Sequence, residues 1–318
     1  MVLSERFNIQ SIMQTGSRVA ANTGILYIRM AITVFISLYA TRLTLQALGV
    51  LDFGLFSLVG GVIAMLGFLN GSMAAATQRF MSFAQGGGDY ASLKRIFNMS
   101  IVLHAAIAVS VIIIFEIISF FLFKGILNIP RDRVEIAKLV YQFMVISTFF
   151  TIISVPFEAM ITAHENMLFY AIEGVAEAVL KLAIAFYINY TKNDPLLIYG
   201  LLTAVSSVFL LLLRQVYCYN KYPECRINVR CHFDKLLLKK MTSFAGWSLM
   251  GSSTGVIANY GQGIVVNMFF GTAVNAAQGI AGQVSGQLGA FATTLMKALN
   301  PLIAKSEGAG NRGLMLKA

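Results

Sequence analysis

Residues 98–123 carry a single formal charge, Glu116, in a run longer than the roughly 18 apolar residues with which a helix crosses a bilayer. Comparable runs are found at about 23–45, 54–76, 139–162, 167–190, 195–219, 243–269 and 274–299, which makes eight expected spans. Turn and charge signals separate most of them. Examples are Gly86-Gly87-Gly88-Asp89, Asn128-Ile129-Pro130-Arg131-Asp132 and Lys192-Asn193-Asp194-Pro195. Hydrophobic residues make up 57% of the 318 and charged residues 12%, against roughly 45–50% and about 25% in soluble domains. A chain in hydrocarbon must satisfy its backbone internally, and a closed barrel would show alternating segments of about ten residues. The expected fold is therefore all-α, a polytopic transmembrane helical bundle.

The net charge of +10 invites a nucleic-acid reading, but the distribution of the 24 basic residues argues against it. With the N-terminus inside, fourteen Lys and Arg fall on the cytoplasmic side and six outside, while Arg29, Lys181, Arg214 and Lys297 lie within or at the ends of spans. The positive-inside rule favours that orientation, with both termini cytoplasmic. No nucleic-acid partner is expected. Residues 1–21 are polar and lack a cleavable signal pattern, so insertion is expected to use the first span. Cys218, Cys225 and Cys231 with His232 lack the paired C-x-x-C spacing of a zinc site, and free cytoplasmic thiols are the expectation.

An ungapped offset of 222 residues places Ala76 to Asp89 over Ala298 to Asn311, each a helix end followed by a short polar stretch and a Gly-x-Gly-Asp/Asn turn. The same offset places Leu48-Gly49 over Phe270-Gly271. Span seven thus reads as a second span one, and transporters commonly carry such repeats, with the substrate between them. The expected organisation is an N-terminal lobe of six helices at 1–219, a basic cytoplasmic linker at 220–240, and the start of a C-terminal lobe with two helices at 241–318. Since the second lobe holds two spans where the first holds six, the expectation is a truncated second lobe whose remainder is missing.

Asn22-Thr23, Tyr27, Arg29-Met30, Ser37-Leu38-Tyr39, Arg42, Leu48-Gly49, Asp52-Phe53-Gly54, Gly60-Gly61, Phe68-Leu69-Asn70, Ser72-Met73 and Ala76-Thr77-Gln78-Arg79-Phe80 form a pattern that continues through Pro301 to Gly310. It resembles the polysaccharide exporters, the lipid-linked oligosaccharide flippase branch of the multidrug/oligosaccharidyl-lipid/polysaccharide (MOP, MATE-like) superfamily. The resemblance implies two six-helix lobes around a cavity that opens alternately to either side. It also implies transport of undecaprenyl-diphosphate-linked oligosaccharide across the bacterial inner membrane, for O-antigen, lipopolysaccharide or other surface polysaccharide. The implied partners are the lipid-linked oligosaccharide, membrane lipids and the polysaccharide polymerase machinery. No cofactor is expected, and a coupling Na+ or H+ is left open.

A saccharide joined to a diphosphate needs a polar, cationic path through hydrocarbon. Ionisable residues within spans are the candidates, because they are expensive there and normally face a cavity or each other. Glu173, Glu177 and Lys181 in span five are spaced i, i+4, i+8 on one helical face. Cavity lining is the favoured reading, against a self-satisfying Glu177–Lys181 pair. Arg29 either meets a diphosphate or snorkels to the surface. Arg42 reads as an interfacial anchor and Glu116 as a weaker candidate. Asn259 with Gln262 and Gln283 with Gln287 share helical faces and are cavity candidates, although such amides more often bond neighbouring helices. Pro156, beside Glu158, is expected to kink span four.

Three other functions compete. Cation-coupled multidrug efflux is the alternative within transport, and Arg29 and Lys181 tip the choice towards an anionic substrate. A membrane enzyme of polysaccharide assembly is disfavoured, because no Ser/His/Asp set, metal cluster or nucleotide loop is visible and the outer loops are short. A non-transporting scaffold is the remaining reading.

Overall fold

The computed structural model describes residues 2–64, 67–121, 123, 129–228, 233–244, 246–247, 250–251 and 289–311, with the side chains of 2–18, 50, 57–58, 61–64 and 67–72 excepted. Six long helices run in order: α1 (Val2–Ala64), α2 (Gly67–Gly86), α3 (Tyr90–Phe121), α4 (Val134–Ala163), α5 (Met167–Ile188) and α6 (Pro195–Lys221). Residues 235–244 and 289–308 are also helical, and no strand occurs among the described residues. The protein is a polytopic transmembrane helical bundle. Among the described residues, four helical stretches, Val19–Gly49, Tyr90–Phe121, Arg131–Ala163 and Pro195–Lys221, are long and apolar enough to cross a membrane.

Two expected boundaries shift. The helix does not wait for the apolar run at 23 but starts at Val2, since polar residues end a span without ending a helix. The expected span 54–76 straddles two helices. The break before it is Gly49 (φ 70°, ψ 173°), within α1, in the left-handed region that glycine enters without steric cost. Most of the expected spans 243–269 and 274–299 lies outside the described residues.

Helix starts follow their sequences. Asp194 caps α6 by accepting hydrogen bonds from the N–H groups of Leu196 (3.0 Å) and Leu197 (3.1 Å), with Pro195 in the first turn. Asn166 caps α5 through the Phe169 N–H. Asp89 accepts from the Ser92 N–H at 2.8 Å, and the Ser92 hydrogen bonds hold its exposed carboxyl below the usual range. α4 lies at the centre of the bundle, against α2, α3 and α6, while α1 packs along α5. One core, around Met81, Phe97, Phe157 and Met160, fills the end of the bundle where α2, α4 and α6 finish. A second, around Phe115, Tyr141 and Val145, ties α3 to α4 further along, and the Tyr141 hydroxyl donates to the Phe115 carbonyl at 2.6 Å.

The two turns matched in sequence share one backbone geometry. At the end of α2, N–H to carbonyl bonds run from Gly87 to Phe83, Gly88 to Gln85 and Asp89 to Ala84; after the 289–308 helix they run from Ala309 to Lys305, Gly310 to Glu307 and Asn311 to Ser306. Each pair is displaced by the 222 residues read from the sequence, and the equivalent glycines Gly88 and Gly310 share φ values of 69° and 70°. Both helices close with the same left-handed cap. The two caps also touch. A Cβ on Gly86 would run into the Lys305 backbone and one on Gly308 into the Phe83 backbone, so the helix ends cross at a closeness that only glycine permits.

Candidate functional site: a charged network between helices

Arg214 stands in an otherwise apolar stretch of α6, two turns before Lys221. A guanidinium there is tolerable only if carboxylates and further acceptors surround it. Its partners come from two other helices. It binds Glu173 of α5 at 2.7–2.8 Å, donates to the Ser154 hydroxyl of α4 at 2.6 Å, and lies 3.8 Å from Glu158 of α4. The Glu173 side chain is only 2% exposed and that of Arg214 13%.

Glu158 carries the network onward. Lys297, on the 289–308 helix, donates to it at 2.8 Å and also bonds the Tyr170 hydroxyl of α5. The Lys297 ammonium sits 4.0 Å from the centre of the Tyr170 ring, and the Arg29 guanidinium of α1 sits 4.2 Å from the same ring. The ring's negative faces suit both cations. Gly174 makes room for Arg29, since a Cβ at that position would overlap the guanidinium. Arg29 is near enough to Glu158 to feel its charge, yet its buried Nε has no hydrogen-bond partner.

Among the described residues, three cations (Arg29, Arg214, Lys297) thus face two carboxylates (Glu158, Glu173), a formal excess of one positive charge. A cavity of about 500 Å³ adjoins Glu158 and Lys297, walled by α2, α4 and the 289–308 helix. Gln78 projects from α2 into its lining with a buried, unpartnered Nε2. A second cavity of about 370 Å³ shares Ala75, Gln78 and Asn300 with the first and extends towards Arg79 and Glu307. Further along, Lys305 closes on Glu165 at 2.7 Å.

No family model matches the chain, and no curated protein matches it in sequence. Solved structures do match in shape. A multidrug resistance MATE family transporter of the MOP superfamily, in an outward-facing conformation, superposes with a TM-score of 0.82 at 14% identity over 95% of this chain and 67% of that one. A MOP superfamily transporter from Pyrococcus furiosus, described as having a binding pocket of reverse polarity, gives 0.82 at 14% identity over the same shares. A Vibrio cholerae MATE transporter gives 0.80 at 15% over 97% of this chain and 69% of that one. The chain has the MATE-like transporter fold.

Within this fold the residues singled out from sequence separate into three groups. Arg29 and Glu173 enter the network. Glu177 and Lys181 do not extend it; although they share a face with Glu173, they pair with each other at 2.7 Å and are 36% and 52% exposed. Asn259, Gln262, Gln283 and Gln287 lie outside the described residues. Sequence reasoning passed over Arg214, Lys297 and Tyr170 and treated Glu158 only as a neighbour of Pro156. The available signal was cost, because an arginine buried in an apolar helix requires a carboxylate and few carboxylates lie in spans. Cys218 and Cys225 are buried free thiols, while Cys231 and His232 lie outside the described residues.

Proposed function

We propose that the protein moves an anionic, lipid-linked substrate across the membrane by alternating access, as part of a flippase for undecaprenyl-diphosphate-linked oligosaccharide. The observation that carries this reading is the surplus cation of the network. Glu158 and Glu173 occupy Lys297 and Arg214, whereas Arg29 lies over the Tyr170 ring and against Gly174, forms no ion pair with a described carboxylate, and keeps its Nε unpartnered. A guanidinium in that state suits a phosphate oxygen, with Lys297 and the Tyr170 hydroxyl alongside. The amide of Gln78 and the neighbouring cavity suit sugar hydroxyls or the diphosphate. The Glu177–Lys181 pair, half-exposed in mid-helix, calls for a water-filled space beside it.

Transport follows from how the network is shared. Lys297 and Lys305 reach from the 289–308 helix to Glu158 of α4 and Glu165 of the turn between α4 and α5, so the charges that hold a substrate also hold that helix to the first six. An anion bound at Arg29 and Lys297 competes with Glu158 for Lys297 and loosens that contact. The linkage gives a substrate-dependent bias between closed and open arrangements. The basic face, where α6 ends and the two glycine caps meet, is assigned to the cytoplasm.

Cation-coupled efflux is the second reading, favoured by the carboxylates Glu158 and Glu173 beside a cavity and by the multidrug transporter among the similar folds. Expression of the gene in a strain lacking its own O-unit flippase separates the two. The flippase reading expects surface polysaccharide to return and sensitivity to cationic dyes to stay unchanged. Dye resistance without polysaccharide would overturn it.

A further inference from the structure

An apolar groove of about 1020 Å³ runs along the outside of the bundle between α5 and α6. Its walls are Ile172 and Ala176 of α5 and Phe209, Leu212 and Val216 of α6, and most of these side chains are exposed. From Phe209 to Lys221 the α6 wall measures about 18 Å at 1.5 Å per residue, a little over half of the roughly 30 Å hydrocarbon core. The groove is thus one leaflet long. Midway along it passes Glu173, which is buried against Arg214, and at the end nearest the basic face Tyr217, Asn220 and Lys221 complete the lining.

That end is fixed in place. The Tyr217 ring stacks on Phe169 with centroids 3.5 Å apart, and its hydroxyl accepts a hydrogen bond from Asn166 at 2.5 Å. Lys221 holds its ammonium 5.6 Å from the Tyr217 ring centre, and no described carboxylate pairs with it. A cation, an amide and an ordered ring therefore sit at headgroup depth above an apolar slot of acyl-chain length. We propose that this groove is a binding site for an acidic glycerophospholipid of the leaflet on the basic face, its phosphate at Lys221 and Asn220 and one acyl chain between α5 and α6. The acyl chain passes Glu173 midway along the groove, so the bound lipid also shields one wall of the charged network from water. The site stands apart from the transported substrate, since it opens to lipid rather than to the cavity beside Lys297.

The test uses the full chain in vesicles. The single native tryptophan, Trp247, is removed as Trp247→Phe. In that background Ile172→Trp places a reporter in the groove, and Ile113→Trp places one on the exposed face of α3 as a control. Quenching by brominated phosphatidylglycerol is compared with quenching by brominated phosphatidylcholine. The groove reporter should favour the acidic lipid about 5-fold, the effect of one lysine near a headgroup. The control should show no preference, and Lys221→Gln should abolish that of the groove. Equal quenching by the two lipids in the groove, or a preference that survives Lys221→Gln, overturns the proposal. So does relief of the acidic-lipid quenching by equimolar undecaprenyl diphosphate, which would give the groove to the substrate's chain; failure of the flippase reading alone leaves all three results unchanged.

Discussion

Two charged clusters in this bundle use the same chemistry to different ends. At the face opposite the glycine caps, Arg133 at the start of α4 binds Asp52, just after the Gly49 break, at 2.7 Å and also bonds the α6 cap Asp194. In the interior, Arg214, Lys297 and Arg29 gather around Glu158, Glu173 and Tyr170. The first cluster has one cation for two carboxylates, joins only neighbouring helix ends, and leaves Arg133 27% exposed. The second has a cation to spare and joins four of the six long helices to the repeat-related one. The first is a clasp between helix ends with a carboxylate in excess, in which Asp52 keeps a buried Oδ1 without a hydrogen-bond partner. The second has a cation in excess, which an anion would match, whereas the excess carboxylate of the first would repel one; that difference in sign favours the interior network for the proposed anionic substrate.

Substitutions that remove one charge should therefore have graded effects. Arg214→Met leaves Glu173 buried without its main partner and should cost about 3–5 kcal/mol, read as a large fall in thermal midpoint or loss of folded protein in detergent. Adding Glu173→Met should recover most of that loss, because a neutral pair of similar volume needs no compensation. Lys297→Met leaves Glu158 with Arg214 at 3.8 Å and should cost about 2 kcal/mol. Its larger signature should be a weakened contact between the halves, measured as faster proteolysis or hydrogen exchange along the 289–308 helix. Arg133→Gln should cost about 1–2 kcal/mol, since Arg133 is partly solvated but Asp52 beneath it is buried and loses its cation. Glu177→Gln with Lys181→Met should fall within about 0.5 kcal/mol in stability, as expected for a half-exposed i, i+4 pair. A cost for this last pair comparable to that of Arg214→Met would erase the distinction between the stripe on α5 and the network beneath it.

What could be read in advance follows the range of each interaction. The cap at Gly88 and its copy at Gly310 are made by residues within five of one another, so the Gly-x-Gly-Asp/Asn pattern carried both the turn and the repeat. The Glu177–Lys181 contact is likewise local, and its spacing announced it. Arg214 meets partners 41 and 60 residues away, and Lys297 one 139 away. Periodicity says nothing about such pairs. The cost of burying each charge was visible, but the choice among Glu116, Glu158, Glu173 and Glu177 depends on how α4, α5 and α6 pack. Arg29 shows the same limit from the other side. Its helix and depth were legible, whereas the orphaned Nε and the glycine that admits it appear only once α1 lies along α5.

The proposed flippase function requires Arg29 to receive an anionic diphosphate. Titration of purified protein with undecaprenyl diphosphate, followed by native mass spectrometry, tests this directly when the wild type is compared with Arg29→Gln. The variant should lose only about 1 kcal/mol of stability, the size of the cation–π contact with Tyr170, and should bind about 10–100-fold more weakly, the effect of removing one charge-assisted bond to phosphate. Equal affinity in the two proteins would contradict the assignment.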